Sequence, residues 1–154
     1  MFNLVLVEPE IPQNTGNIGR LCAAANSTLH LVHPLGFRLD DAALKRAGMD
    51  YWDQLSIVEH PGFADFQLRS AGSRCFYCST KSHRAYWDIQ YRPGDFLIFG
   101  RETKGLPESL LKKNPDNAIT IPMPNAAARS LNLATAAGIV LYEALRQQSL
   151  RAPG

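Results

Sequence analysis

Apolar residues along this chain come in short runs, and between the runs the spacing turns helical. Phe2–Val7, Thr28–Val32, Gln54–Val58, Cys75–Ser79, Asp95–Phe99 and Ala118–Ile121 read as strands. Near Thr15 the period changes: Ile18, Leu21, Cys22 and Ala25 fall at i, i+3, i+4 and i+7, one face of a helix. A second helix is expected from Asp40 to about Arg46, ending at Gly48, and a third around Gly62–Ser70. A fourth begins at Pro107, a residue suited to a first helical turn. This alternation predicts one α/β domain spanning residues 1–154, with a mainly parallel sheet flanked by helices.

The last helix departs from the usual pattern. Ser130 is placed to cap it, and Leu131 to Leu145 is polar only at Asn132, Thr135 and Glu143. The surface helix of a monomer carries one apolar stripe, whereas this one is apolar on nearly all sides. It is too short to span a bilayer. One face is therefore expected on its own sheet and the other on a second copy of the chain.

Composition narrows the function classes only a little. The 154 residues have 45% hydrophobic and 19% charged content, which excludes a disordered chain, and a net charge of +2. So small a charge does not signal nucleic-acid binding by itself, so such a reading must rest on local sites. Phe2–Val7 follows Met1 with no basic segment or cleavage site and is too short for a membrane span, so a cytoplasmic protein without a membrane segment is expected. The cysteines are Cys22, Cys75 and Cys78. Cys75 and Cys78 are three apart on an expected strand and so point to opposite faces; no second pair completes a tetrahedral site, and no metal is expected. His30, His33, His60 and His83 lack ligand spacing and read as surface or satisfied polar residues.

Three segments carry candidate chemistry, each just after a strand. The first is Pro9-Glu10-Ile11-Pro12-Gln13-Asn14-Thr15-Gly16-Asn17-Ile18-Gly19-Arg20. Glycines and free N–H groups at a helix start suit a phosphate, and an Arg on an early turn offers it a planar fork. The second, Phe99-Gly100-Arg101-Glu102-Thr103-Lys104-Gly105-Leu106-Pro107, lies where ligands of open α/β sheets bind, with Gly100 leaving room for a flat ring. In the third, Ile121-Pro122-Met123-Pro124 leads through an Ala-rich bend to Arg129-Ser130-Leu131-Asn132-Leu133. Its prolines leave backbone groups free for the edge of an adenine, and Ser130 and Asn132 suit a substrate.

Together, in this order, the segments resemble the three motifs of the SPOUT superfamily of RNA methyltransferases, over nearly the whole chain. Glu8–Asn17 and Arg46–Tyr51 add to a likeness with its minimal, extension-free tRNA (cytidine/uridine) 2′-O-methyltransferases, which act on the wobble nucleotide. The resemblance implies a trefoil knot in the C-terminal third, which no strand pattern would suggest because knots are nearly absent from proteins. It implies a homodimer with active sites at the interface, S-adenosyl-L-methionine as cofactor, and tRNA, through its anticodon stem-loop, as partner. The catalytic and RNA-holding group carries over as Asn14, Arg20, Glu102, Ser130 and Asn132. The cofactor residues lie in the loops after Cys78, Gly100 and Ile121, including Thr80 and Gly105, with Met123, Ser130 and Leu131 closing over the adenine. Two features depart from the family: Ala134-Thr135 stands where Ser-Asn is frequent, and the bend Asn125–Ala128 is unusually apolar.

A guanidinium stays charged, so Arg20 is read as a phosphate clamp that lowers the pKa of the 2′-hydroxyl rather than as its base. A substrate phosphate oxygen or water would then take the proton. Arg46 and Arg129 are assigned to RNA with Arg20, and Arg101 and Lys104 are further candidates; Tyr51 and Trp52 could stack on a loop base. Two other readings stand beside this one. A non-enzymatic RNA-binding dimer on the same fold would bind tRNA but not S-adenosylmethionine. A flavodoxin-like enzyme would need a Ser/Thr-rich phosphate loop after the first strand, and none is present.

Overall fold

A computed structural model of the chain describes residues 1–40, 42–47 and 53–151, the last three by backbone alone. Gly48, Met49, Asp50, Tyr51 and Trp52 lie outside the described residues, so the expected end of the second helix and the stacking pair have no structural account. Strands β1 (Asn3–Val7), β2 (Thr28–Val32), β3 (Ile57–His60), β4 (Cys75–Cys78), β5 (Arg84–Ala85), β6 (Phe96–Phe99) and β7 (Ala118–Thr120) form one parallel sheet in the order β3-β2-β1-β6-β4-β7-β5. The helices are α1 (Pro12–Ala24), α2 (Ala42–Arg46), α3 (Phe63–Arg69), α4 (Glu108–Lys113) and α5 (Leu133–Arg151).

Strand alternation divides the core. On β1, Leu4 and Leu6 pack with Ile18 of α1 and with Ala137, Val140 and Leu141 of α5. Val5 and Val7 face the other way, onto Phe66 of α3 and Leu111 of α4. Both faces are thus covered, as a parallel sheet requires. Cys75 packs with the second group and Cys78 with the first, so the two thiols lie on opposite sides of the sheet. Burial pushes the Cys78 thiol up to about 12.

Several element boundaries differ from the sequence expectation. Helix α1 starts at Pro12 rather than near Thr15, because Ile11 in extended conformation hands over to a proline whose fixed φ already suits a helix. Strand β3 is displaced from Gln54–Val58 to Ile57–His60, where it is in register with β2 through Leu29↔Ile57 and Val32↔His60. Strand β5 was not expected: its two residues carry no apolar run, and it exists through pairing with β7. Helix α5 starts two residues later than the Ser130 cap implied. Asn132 is the cap: its Oδ1 accepts from the Thr135 N–H at 3.2 Å, and its carbonyl accepts from Ala136 N at 2.9 Å.

Two of the scattered histidines meet in the β2–β3 pairing. His30 Nδ1 lies 3.0 Å from His60 Nε2, and His30 Nε2 lies 3.0 Å from Asn3 Oδ1. Both rings pack on Phe66. Burial, then His60 and Arg69, pull His30 down to about 4. The folded His30 therefore stays neutral where the unfolded one protonates, and stability falls as pH drops from about 6.5 towards 4. We expect roughly 2 kcal/mol to be lost across this window beyond what a His30→Gln protein loses. Urea denaturation at pH 7 and pH 4.5 measures it, and equal pH slopes for the two proteins would contradict it.

Candidate active site

The carboxyl ends of β1, β4, β6 and β7 open into a cavity of about 810 Å³. In an open α/β sheet this is where ligands bind. Its first wall is the turn from β1 into α1. Glu8 leaves β1 with φ 53°, and Gly36 donates to the Pro9 carbonyl at 2.9 Å. The free N–H groups ahead of α1 are occupied from within the chain: Glu102 accepts from Glu10 N at 2.9 Å and Ile11 N at 2.8 Å. A carboxylate beyond β6 thus caps a helix some ninety residues earlier in the chain, at the helix's positive end. The expected phosphate site at Gly16 and Gly19 is corrected accordingly. A Cβ on Gly16 would lie 2.6 Å from Ala47 Cβ and 2.7 Å from the Leu44 carbonyl, so this glycine serves close packing of α1 on α2.

The second wall is the loop after β6, and it is tied back to the first. Arg101 pairs with Glu8, and Glu10 accepts from the N–H and hydroxyl of Thr103 at 3.0 and 2.8 Å. These two Thr103 donors hold the Glu10 carboxyl below its ordinary range. Arg101 and Gly105 form an isolated bridge, so the loop folds back over Gly100. A Cβ on Gly100 would stand 2.2 Å from Gly105 C and 2.4 Å from Leu106 N. The space beside Gly100 is filled by this loop's own backbone, not left open for a ring.

The third wall is the irregular stretch from Ile121 to Asn132 ahead of α5. A chain of amides connects it to the other two. Asn132 Nδ2 donates to Asn14 Oδ1 at 3.0 Å, and Asn14 Nδ2 donates to Glu102 Oε2 at 3.3 Å. With Thr135 N holding Asn132 Oδ1, both amides have fixed orientations. The sequence placed Asn14, Glu102 and Asn132 in separate motifs; the fold makes them one hydrogen-bonded line at the cavity.

The other expected residues divide. Cys78 and Thr80 after β4, Gly100 and Gly105 after β6, Ile121 and Met123 after β7, and Ser130 and Leu131 before α5 all line the cavity. Arg129 lines it too, exposed and without an ion pair among the described residues. Arg20 and Arg46 do not line it: both are exposed, Arg20 late in α1 and Arg46 at the end of α2. Sequence reasoning passed over Lys81, which lines the cavity and pairs with Glu108 at 2.7 Å, and the anchoring roles of Glu8 and Glu10. Two acidic residues in a loop facing Arg101-x-Thr103 across the sheet were the available signal, but only the β1–β6 pairing makes it readable.

Met123, Ile121 and Leu131 give the cavity apolar lining, with Leu131 left 38% exposed. Apolar lining beside the polar side chains of Asn14, Thr80, Ser130 and Asn132 suits a small ligand with an apolar face and polar edges. Among the described residues no group of His, Cys, Asp and Glu is arranged to hold a metal ion, and no helix is long and apolar enough to cross a membrane.

Comparison with known proteins places this geometry. The sequence family described as the SpoU rRNA methylase family matches residues 1–142. The tRNA (cytidine(34)-2′-O)-methyltransferase of Saccharophagus degradans is 48% identical over 149 residues, covering 96% of each chain. That of Methylovorus glucosotrophus is 46% identical over 149 residues, covering 96% of each. A solved structure described as giving insights into the 2′-OH methylation of C/U34 on tRNA superposes with a TM-score of 0.92 at 46% identity, covering 98% of both chains. The SpoU methyltransferase AviRb of Streptomyces viridochromogenes, in complex with the cofactor AdoMet, superposes with a TM-score of 0.82 at 26% identity, covering 96% of this chain and 57% of its own.

Proposed function

The chain belongs to the SpoU rRNA methylase family, and from that premise we propose that it methylates the ribose 2′-hydroxyl of nucleotide 34, the wobble position of a tRNA, with S-adenosylmethionine as methyl donor. The observation that carries this reading is the hydrogen-bonded line Glu102–Asn14–Asn132 in a cavity that Ile121, Met123 and Leu131 also line. The chain is an enzyme of the same activity as its relatives, which it matches at nearly half identity from end to end.

Bound S-adenosylmethionine supplies a methyl group already activated on a sulfonium. The chain's part is to hold and position. Met123, Ile121 and Leu131 would hold the adenine, with backbone groups from the loops after β4, β6 and β7 meeting its edge. Glu102 has both oxygens committed to Glu10, Ile11 and Asn14, so its role is to fix the α1 entry rather than to take a proton. Asn14 and Asn132, locked by each other, orient the ribose, with the exposed Ser130 hydroxyl available to it. Such positioning of two reactants is worth on the order of 7–11 kcal/mol in favourable cases. Arg129 holds a substrate phosphate at the cavity, and Arg46 a phosphate farther along the anticodon stem-loop. A phosphate oxygen or water accepts the hydroxyl proton.

The reading includes a trefoil knot in the C-terminal third and a homodimer. In support of the knot, α5 leaves β7 and packs onto the segment after β5, where Gln147 and Gln148 hydrogen-bond the backbone of Ile89 and Tyr91 at 2.8 Å. In support of the dimer, Tyr142 is 51% exposed on α5, one and two turns from Ile139 and Thr135 on the same outward face. The exposed face is narrower than the sequence pattern implied, since Glu143 accepts from Gln147, whose side chain also bonds the 89–91 backbone. Tyr142→Asp is therefore expected to yield monomers or unfolded chains; light scattering that finds the same dimer as in the wild type would remove this helix from the interface. A cytoplasmic location completes the reading and agrees with three free cysteines.

The direct test is incubation with methyl-labelled S-adenosylmethionine and total tRNA, followed by mapping of the labelled nucleoside. Label on the 2′-oxygen of nucleotide 34 is expected. Label elsewhere, or binding of tRNA with no transfer, overturns the proposal.

A further inference from the structure

The loop 101–105 has a second cavity against it. This cavity measures about 510 Å³, and Arg101, Lys104 and Gly105 line it as well as the methylation cavity. Its apolar lining comes from Phe63 of α3, Leu106, and Leu110 of α4, and the polar Gln67 and Ser109 line it too, with Glu8 held by Arg101. Phe63 is half-buried against Phe66, with ring centroids 5.8 Å apart. Around this apolar interior stand Lys104 and Lys113, both exposed. Lys113 has no ion pair among the described residues, and Arg101 is already neutralised by Glu8. The volume is in the range of roughly 300–1,000 Å³ typical of small-molecule sites.

An apolar, aromatic-walled interior with free cations beside it fits a ligand with a flat π-face and an anionic backbone. A nucleotide has that chemistry, and single-stranded RNA readers commonly join stacking to phosphate contacts. The shared wall limits which nucleotide it is. RNA whose target ribose reaches the first cavity carries its covalent neighbours past the same loop. We infer that the second cavity takes the base of a nucleotide adjoining the methylated one, with Lys104 and Lys113 on its flanking phosphates. The inference rests on the methylation reading above and names a further contact within it.

Full-length tRNA carrying an abasic ribose immediately 5′ or 3′ of nucleotide 34 is the probe. With the wild type, one of the two abasic tRNAs should show a KM raised about tenfold, the loss expected for one stacked base, with kcat little changed. Phe63→Leu keeps the apolar volume but removes the aromatic face, and should show the raised KM on intact tRNA with no further penalty from the missing base. Lys113→Ala, on the exposed side where folding is not at stake, should lower the salt slope of binding by about one. S-adenosylhomocysteine affinity should be unchanged in both variants. If the abasic penalty is as large in Phe63→Leu as in the wild type, or absent from both, the inference fails while the methylation reading stands. If the wild type methylates no intact tRNA, both fall together.

Discussion

Arg20→Ala is expected to slow turnover of tRNA by at least about a hundredfold, the loss seen when one donor to a developing oxyanion is removed, while S-adenosylhomocysteine affinity stays within about twofold. The prediction has two halves because Arg20 is exposed on α1 and is absent from the lining of its own chain's cavity. Helix α1 packs on α5, the helix proposed to form the dimer, and we take Arg20 to serve the cavity of the second subunit in that proposed dimer. Cofactor binding in its own chain is then untouched. Arg20→Lys should stay badly impaired, since a point charge does not replace a planar fork. Mixed dimers provide the decisive measurement. An Arg20→Ala subunit paired with an Asn132→Ala subunit retains one cavity with both groups intact if Arg20 acts across the interface. Such heterodimers should recover activity that neither homodimer has. Near-normal turnover by Arg20→Ala removes the residue from the mechanism, and inactive heterodimers remove the cross-subunit placement.

Among the described glycines whose added Cβ would have close neighbours, Gly100→Ala should be the most damaging change, because its new atom has the closest ones. The added Cβ would meet Gly105 C at 2.2 Å and Leu106 N at 2.4 Å. Both are backbone atoms, so no side chain can swing away, and Gly105 at φ +65° holds the turn that brings them there. The loop must move, and with it the Glu102 carboxylate that closes the start of α1. Overpacking of this kind costs about 3 kcal/mol or more, which for a chain of this size is a fall in Tm of roughly 6–12 °C. S-adenosylhomocysteine affinity should fall more than tenfold with it. Gly94→Ala is the control. Its φ of +94° makes alanine strained, but nothing lies within 4 Å of the new atom and it is not a lining residue. It should lose some stability and keep cofactor affinity. A Gly100→Ala protein with wild-type melting and wild-type affinity would show that the loop is not the rigid wall described above.

Local chemistry made much of this chain readable in one dimension. β1 and β2 are apolar runs that suit burial, and α1 carries a helical period, so their type follows from side chains within a few residues of one another. The three chemical segments were legible for a related reason: each is a run of glycine, proline or polar residues just after an apolar strand, where a chain cannot continue regular structure. Their resemblance to a methyltransferase family then supplied roles that spacing alone could not.

What the linear pattern could not contain is any contact whose partners are distant in the chain. Strand β5 is two unremarkable residues until β7 lies beside it. The histidines looked scattered until parallel pairing brought His30 and His60 to 3.0 Å. Ser130 and Asn132 are both plausible helix caps by residue type; only the folded backbone gave the task to Asn132, whose amide also reaches Asn14. Gly100 looked like room for a ligand and is room for its own loop. Sequence by itself determined the type of the longer elements such as β1, β2 and α1, because there the state is set by neighbours a few bonds away. Only the tertiary structure decided that Asn14, Glu102 and Asn132 form one hydrogen-bonded line and that Arg20 is not among the residues lining their cavity, because hydrogen bonds between residues some ninety to a hundred and twenty positions apart form only after the sheet has put their strands side by side.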